Sequence, residues 1–284
     1  MRTGSSLLAL SLLTACTVGD TTAPPAINKT PGVTNSNVVV TNPSCGDLIV
    51  SDLRLEQDLT CPGNGLTVTG SGIKVNLNGH TIAGAGPGTG LGIQVISSQD
   101  VSIFGGTVRS FLRGINVSAS TGVVIKDNVL TQNGTGILLE FSSGNTIKSN
   151  VARQNTARAI MIRPNLSGTV VSTDNDVKDN VLSDNPTGIY IIRQPGNMFK
   201  GNMISGSTIA AIDLDPAPLG ASANVFKGNL LESSGAGIRF GAGWTGNTIL
   251  GNTVQTNICG FKGPSSGNTF QGNTLTGNTT DFCP

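Results

Sequence analysis

Residues 128–150, NVLTQNGTGILLEFSSGNTIKSN, contain one full unit of a pattern that repeats along about two thirds of the chain. The Gly-Ile pair of this unit, or a close variant, returns mostly every 22 or 23 residues from Gly92-Ile93 to Gly260-Phe261. Apolar and polar residues alternate within each short run, which is the period of a β-strand. Three short strands and three corners rich in Gly and Asn fit into one unit. The repeat therefore predicts an all-β chain folded as a single-stranded parallel β-helix of about ten coils.

Two series of asparagines share this period. One runs from Asn128 to Asn273, and the other, five residues earlier in most units, runs from Asn145 to Asn268. Stacked coils would align each series into a ladder of amides that hydrogen-bond from coil to coil. A leucine-rich solenoid would need a regular Leu series, and a β-sandwich would not keep one motif at constant spacing. The β-helix is therefore preferred to both.

The composition narrows the class of protein further. The formal net charge is +1, charged residues make up 12% of the chain and aromatic residues 4%. Near-neutral charge argues against a nucleic-acid-binding protein, which normally carries a basic excess. The low charged and aromatic content is unlike that of an ordinary globular enzyme. The 37% of hydrophobic residues, placed at regular intervals, is enough to bury a long and narrow core.

The N-terminus has the features of an export signal. A positive charge at Arg2 precedes the apolar run Leu7–Leu13, and the segment ends in Thr14-Ala15-Cys16. This ending resembles the lipobox of bacterial lipoproteins, which implies lipidation of Cys16 and a membrane contact through the lipid anchor only. The alternative is an ordinary secretory signal. We expect a signal peptide at 1–15, a disordered tether at 16–44 and the β-helix at 45–284, in an outer-membrane or cell-surface lipoprotein.

Four cysteines remain once the signal is removed, and an even number in an exported chain favours disulfides. Of the three connectivities, we expect Cys45–Cys61 and Cys259–Cys283, because each bond would hold one end of the β-helix. The segments around them are expected to cap the two open ends. A zinc site is not expected, because there is no C-x2-C spacing and His80 is the only histidine. No cofactor is expected, and nothing in the sequence indicates calcium, which is left open.

Two segments carry a resemblance to a known family. Residues 58–63, DLTCPG, and 75–82, VNLNGHTI, together with the repeats from Gly92 onward, resemble bacterial right-handed parallel β-helix proteins of the pectin-lyase-like superfamily. The resemblance includes the NosD-like branch and its PbH1 repeats. It implies a right-handed helix but not one activity, because this scaffold carries lyases, hydrolases, epimerases and adhesins. Copper handling by analogy with NosD has little support from a single histidine and three methionines in the repeat region, Met161, Met198 and Met203.

One outward column of the Gly-Ile strand collects unusual residues. Its last four positions are Tyr190, Asp213, Arg239 and Lys262, the charged row. Arg163, Arg193 and Asp215 are expected beside it, and the only tryptophan, Trp244, follows in the adjoining corner. The two longest units add residues at this corner, within 163–176 and 215–224, and such insertions commonly wall a binding groove. This face is therefore the predicted site.

The residue types suggest a polysaccharide ligand. On an acidic glycan, Arg163, Arg193 or Arg239 would neutralise a uronate, and Lys262 or Tyr190 would remove the adjacent proton, giving β-elimination or epimerisation. Asp213 and Asp215 would suit hydrolysis of a neutral glycan, and Trp244 would stack on a sugar. Whether the chain processes the glycan is left open, with lyase or epimerase chemistry preferred to hydrolysis. The alternative is a non-catalytic structural or adhesin-like envelope protein, whose outward residues are simply polar.

A second outward column carries lysines at one repeat position. They are Lys126, Lys148, Lys178, Lys200 and Lys227. We call this column the lysine strip. Its centre, formed by Lys148, Lys178 and Lys200, is predicted to bind a polyanion such as an acidic polysaccharide or lipid headgroups. The alternative is that lysine protects exposed strands from aggregation. We expect the protein to be a monomer.

Overall fold

The computed structural model describes residues 39–165, 167–215 and 221–284. Over these residues the chain is a right-handed parallel β-helix of about ten coils, which confirms the predicted fold class. Within the same ranges no helix is long and apolar enough to cross a membrane. The predicted signal peptide, Cys16 and the tether up to residue 38 lie outside the described residues.

Each coil contributes one strand to each of three parallel sheets. Sheet 1 contains β1 (Leu48–Ile49), β4 (Leu66–Val68), β7 (Leu91–Ile96), β10 (Arg113–Ser118), β13 (Thr135–Glu140), β16 (Arg158–Arg163), β19 (Thr187–Ile191), β22 (Ala210–Leu214), β25 (Ala236–Phe240), β28 (Cys259–Lys262) and β31 (Thr280–Cys283). Sheet 2 contains β2 (Leu53–Arg54), β5 (Lys74–Asn76), β8 (Ser102–Phe104), β11 (Val124–Lys126), β14 (Thr146–Lys148), β17 (Asp176–Lys178), β20 (Met198–Lys200), β23 (Val225–Lys227), β26 (Thr248–Leu250) and β29 (Thr269–Gln271). Sheet 3 contains β3 (Leu59–Thr60), β6 (Thr81–Ala83), β9 (Thr107–Arg109), β12 (Val129–Thr131), β15 (Val151–Arg153), β18 (Val181–Ser183), β21 (Met203–Ser205), β24 (Leu230–Glu232), β27 (Thr253–Gln255) and β30 (Thr274–Thr276).

The core is a stack of inward side chains from all three sheets. The isoleucine of each Gly-Ile pair lies directly above the next, as in Ile115 over Ile137 and Ile137 over Ile160. These isoleucines are fully buried, and burial of such a side chain contributes about 1.5–3 kcal/mol. The strict register fixes which positions of each strand point outward.

The corners are held by asparagine ladders, as predicted for two series. Along Asn150, Asn180 and Asn202, each backbone N–H and side-chain Nδ2 donates to the Oδ1 of the next rung at 2.9–3.2 Å. The residue before a rung often has a left-handed backbone, as at Asp179 with φ 54°. A third ladder, through Asn133, Asn155 and Asn185, was not predicted.

The ladders pass unchanged through a long connection. The loop between β16 and β17 lengthens its coil, yet Asn145 still donates to Asn175, 30 residues later, at 3.0 Å. The coils on either side of the loop therefore stack as if it were absent.

Both expected disulfides are formed, Cys45–Cys61 and Cys259–Cys283. At the N-terminal end the Val40 N–H donates to the Asp52 oxygen at 2.8 Å, and the Val40 oxygen accepts from the Arg54 N–H of β2 at 2.9 Å, so Val40 covers part of that strand. The expectation of a cap around Cys283 is wrong. That segment forms β31, a further strand of sheet 1 paired with β28, and its Phe282 is 61% exposed. The repeat pattern extends into this segment, so it continues the stack.

Candidate functional site

The four residues of the charged row lie in one outward column of sheet 1. Tyr190 pairs in register with Asp213, Asp213 with Arg239, and Arg239 with Lys262. Neighbouring strands in a sheet are about 4.8 Å apart. The sequence period was therefore sufficient to predict that these side chains are neighbours.

Asp213 and Arg239 form a closed ion pair. The Arg239 Nε donates to Asp213 Oδ1 at 2.7 Å, and its Nη2 donates to Oδ2 at 2.5 Å. Asp213 is only 2% exposed, and the hydrogen bond to it raises the pKa of Arg239. Both carboxylate oxygens are occupied, so Asp213 does not fit the predicted catalytic role, and Arg239 is not free to neutralise a uronate.

Tyr190 is held in a similar way. Its hydroxyl donates a hydrogen bond to the Asp215 carboxylate, and the Arg158 guanidinium lies 4.1 Å from the centre of its ring. Burial, followed by the bond to Asp215, raises the pKa of Tyr190 to about 12. A phenol with this pKa stays protonated at neutral pH. Tyr190 therefore does not fit the predicted role of base, and Asp215 serves as its acceptor.

Trp244 supports the corner from inside. Its side chain is fully buried in the core, and Nε1 donates to the backbone oxygen of Asp215 at 2.8 Å. The prediction that Trp244 stacks on a sugar is wrong, because the indole has no solvent-facing surface. The corner after β25 turns the ring inward, a direction that a single tryptophan outside the repeat positions did not reveal.

Two other predicted residues lie at the margins of this face. Lys262 ends the charged row and is exposed. Arg193 follows β19 with a left-handed backbone, φ 49°, and its guanidinium packs beside Gly168 in the loop after β16. Its Nε is buried without a partner in the described part of the chain. The structure thus brings Lys262 to the row but places Arg193 beneath a loop.

Arginines gather around a groove one to three coils before Tyr190. Arg113, Arg158 and Arg163 border this arginine groove, whose floor includes Leu138 and Met161 and whose volume is about 320 Å³. Register through Thr135 sets Arg113 and Arg158 two strands apart, about 10 Å. Leu138 and Met161, which belong to the predicted outward column, are apolar. The charge of the groove comes from the arginines at its borders.

The arginine groove has more positive than negative charge. Arg163 Nη2 lies 2.5 Å from Glu140 Oε1, while Arg113 donates to the neutral Asn116 Oδ1 at 3.0 Å. Burial, and secondly the charge of Arg163, lowers the pKa of Arg113. Three arginines border the groove and one carboxylate, that of Glu140, pairs with one of them, so the surface is complementary to an anion. Of these three arginines, only Arg163 was predicted from the sequence.

The predicted lysine strip is a continuous column of sheet 2. Register places Lys126 beside Lys148, then Lys178, Lys200 and Lys227. Sheet 2 forms a different face of the β-helix from sheet 1. Lys148, Lys178 and Lys200 therefore do not line the arginine groove, and they form a separate surface.

Comparisons with known proteins agree with this fold. Residues 48–278 match the family model described as periplasmic copper-binding protein (NosD). No curated protein matches the chain significantly.

Solved structures of low sequence identity share the architecture. The Azotobacter vinelandii mannuronan C-5 epimerase AlgE6 A-module is 13% identical, with a TM-score of 0.62 over 80% of this chain and 74% of its own. An alginate lyase from Paenibacillus sp. str. FPU-7 is 16% identical, with a TM-score of 0.59 over 82% and 90%. The Dettilon tailspike protein (gp208) is 18% identical, with a TM-score of 0.59 over 84% of this chain. The chain spans only 60% of that tailspike.

The residues present do not fit copper, which takes histidine, thiolate or thioether ligands. His80 is the only histidine and pairs with Asp58, Nδ1 to Oδ1 at 3.2 Å. The cysteines after Cys16 are all in disulfides. Met161, Met198 and Met203 lie on sheets 1, 2 and 3 and do not converge. Across the described ranges no three His, Cys, Asp or Glu side chains cluster as a metal site would require.

Proposed function

The chain belongs to the NosD family, and we propose that it is an envelope protein that binds an anionic polysaccharide without cleaving it. The ligand lies in the arginine groove on sheet 1. One observation carries this proposal, the convergence of Arg113, Arg158 and Arg163 on one open groove. Planar guanidiniums bind carboxylates through two parallel hydrogen bonds. The apolar floor of Leu138 and Met161 suits the less polar faces of sugar rings.

The charged row beside the groove argues for binding without chemistry. A lyase or epimerase needs a base near the proton that it removes. In the charged row, both carboxylate oxygens of Asp213 accept hydrogen bonds from Arg239. Tyr190 stays protonated at neutral pH because its pKa is raised to about 12. Lys262 stands at the far end, four strands from Met161 in the groove. We infer that the row stiffens the wall next to the bound glycan.

Related folds support a saccharide ligand. The structural neighbours are described as an epimerase of mannuronan, a lyase of alginate and a tailspike. Their low identity to this chain limits the comparison to the fold, so the choice of ligand rests on the arginine groove. A neutral ligand would not offset the charge of Arg113 and Arg158 on burial.

The cysteines support a location outside the cytoplasm. Two disulfides and a family described as periplasmic support a position outside the cytoplasm. We propose that a lipid on Cys16 holds the protein at the outer membrane or cell surface, with the chain between Cys16 and residue 38 as a tether, because Val40 already pairs with β2. Replacement Cys16→Ser should release the protein from the membrane fraction into the soluble fraction. Retention of the variant in the membrane fraction would refute lipidation as the anchor.

Calorimetric titration of the protein with oligogalacturonate and oligomannuronate tests the ligand. We expect Arg113→Gln/Arg158→Gln to lose at least about tenfold in affinity, because two charge-assisted contacts are removed. The matched control is Arg109→Gln/Arg153→Gln, which removes two exposed arginines from sheet 3. Fully methyl-esterified oligogalacturonate keeps the sugar backbone without its charge and should not bind.

The same samples test the absence of cleavage. A lyase would produce unsaturated chain ends, which absorb in the ultraviolet, and we expect no increase in absorbance over hours of incubation. A protein that released such ends would refute the non-catalytic assignment. Equal affinity of the groove variant and the sheet 3 control would refute the proposed binding site.

A further inference from the structure

A second positively charged surface lies on sheet 2 and is not part of the proposed groove. The lysine strip consists of Lys126, Lys148, Lys178, Lys200 and Lys227, stacked in register on five successive strands. Four steps of about 4.8 Å make it about 19 Å long. Parallel register keeps the charges on one line along the axis of the β-helix.

Most of this charge is not neutralised by the protein. Lys178 pairs with Asp176 on its own strand, and Lys126 Nζ is 4.0 Å from Asp127. Within the described residues, Lys148, Lys200 and Lys227 form no salt bridge. Like charges directly opposite on neighbouring strands destabilise a sheet. A bound anion would remove this repulsion.

The charges on either side of the strip define the shape of that anion. Exposed aspartates stand at both corners of sheet 2, Asp100 and Asp174 before the strands and Asp127 and Asp179 after them. The adjacent outward column is mainly neutral, with Thr146 and Met198 among its members. A flat anionic surface such as a bilayer would meet these aspartates together with the lysines. A single extended chain along the lysines would meet mainly positive charge, with carboxylates only where Asp176 and Asp127 pair with Lys178 and Lys126.

We propose that the lysine strip binds an extended anionic polysaccharide that lies along the axis of the β-helix. The proposal deepens the proposed function, since it concerns the same class of ligand on a separate face. Short oligosaccharides would bind in the arginine groove, and long chains would also engage the strip. Binding at two faces raises the affinity of long polymers without new contacts in the groove.

The test compares long polygalacturonate with trigalacturonate on Lys148→Gln/Lys178→Gln/Lys200→Gln. We expect this variant to bind the polymer at least about tenfold more weakly and the trimer as the wild type does. Neutralising three lysines should also reduce the dependence of polymer affinity on salt concentration, because fewer counterions are released. The matched control, Lys74→Gln/Arg109→Gln/Arg153→Gln, removes three exposed positive charges outside the strip.

Two further samples make the outcome decisive. Replacing the three lysines by arginine keeps the charge and should preserve polymer binding, and circular dichroism verifies that every variant is folded. Equal loss in the control triple variant would refute the strip as the binding surface. Loss of binding to phosphatidylglycerol vesicles but not to polymer would assign the strip to a membrane instead. Weaker binding of the trimer to the groove variant Arg113→Gln/Arg158→Gln, but not to the lysine variant, would support the proposed function independently of the strip. Unchanged trimer binding to the groove variant would refute the proposed function and leave the strip to be judged by the polymer.

Discussion

The buried ion pair of the charged row gives a quantitative prediction. In the intact protein the Asp213 carboxylate is 2% exposed, and replacement Arg239→Ala would remove both of its bonds from the guanidinium. Leaving a buried acceptor without its partner costs about 1–3 kcal/mol, and more for a charged group; because the Arg239 side chain is 37% exposed, we expect a loss of about 2–3 kcal/mol. Against a typical stability of about 5–15 kcal/mol, this loss is easy to measure.

Urea unfolding followed by circular dichroism measures this loss. The double variant Asp213→Leu/Arg239→Leu removes both charges and should recover most of the stability, because no buried charge is left alone. Arg153→Ala, an exposed arginine of sheet 3, should change the unfolding free energy by less than about 0.5 kcal/mol. A loss below about 1 kcal/mol for Arg239→Ala, or no recovery in the double variant, would refute the claim that Arg239 compensates the buried charge of Asp213.

Three further predictions concern the scaffold. Asn202→Ala removes four side-chain hydrogen bonds within a buried ladder and should cost about 4 kcal/mol in urea unfolding, against less than about 2 for half-buried Asn273→Ala; equal losses would contradict the ladder. Because the folded protein raises the pKa of Tyr190 to about 12, stability should fall from pH 10 to about 12, by at most about 1 kcal/mol for this half-exposed group. Tyr190→Phe should lack this dependence. Ala223 is exposed and has a left-handed backbone, φ 59°, so Ala223→Gly should raise the unfolding free energy by about 0.5–1 kcal/mol; a lower free energy would count against backbone strain there.

The sequence period predicted the fold and the register. Once Ile137 and Ile160 are recognised as equivalent, the intervening positions of every coil are aligned, which places Tyr190 beside Asp213 and Lys148 beside Lys178. The period reports the spacing of backbone strands, and the side chains follow from it.

The period did not predict how the aligned side chains interact. Asp213 and Arg239 could equally have faced solvent, and their closed pair follows from the close approach of β22 and β25. Arg113 and Arg158 were not predicted, because they stand two residues before the inward isoleucine, in a third outward column outside the two that were aligned from the sequence. Trp244 lies outside the repeat positions, so no equivalent residue indicated its direction.

The loop between β16 and β17 has a practical consequence. Its extra residues leave the rungs from Asn145 to Asn175 and from Asn150 to Asn180 undisturbed. Length at this corner is thus decoupled from the architecture of the rod. A foreign epitope grafted there would be displayed beside the arginine groove while the supporting coils keep their stacking. New specificities could evolve at the same position by insertion alone, without any change to the hydrophobic interior.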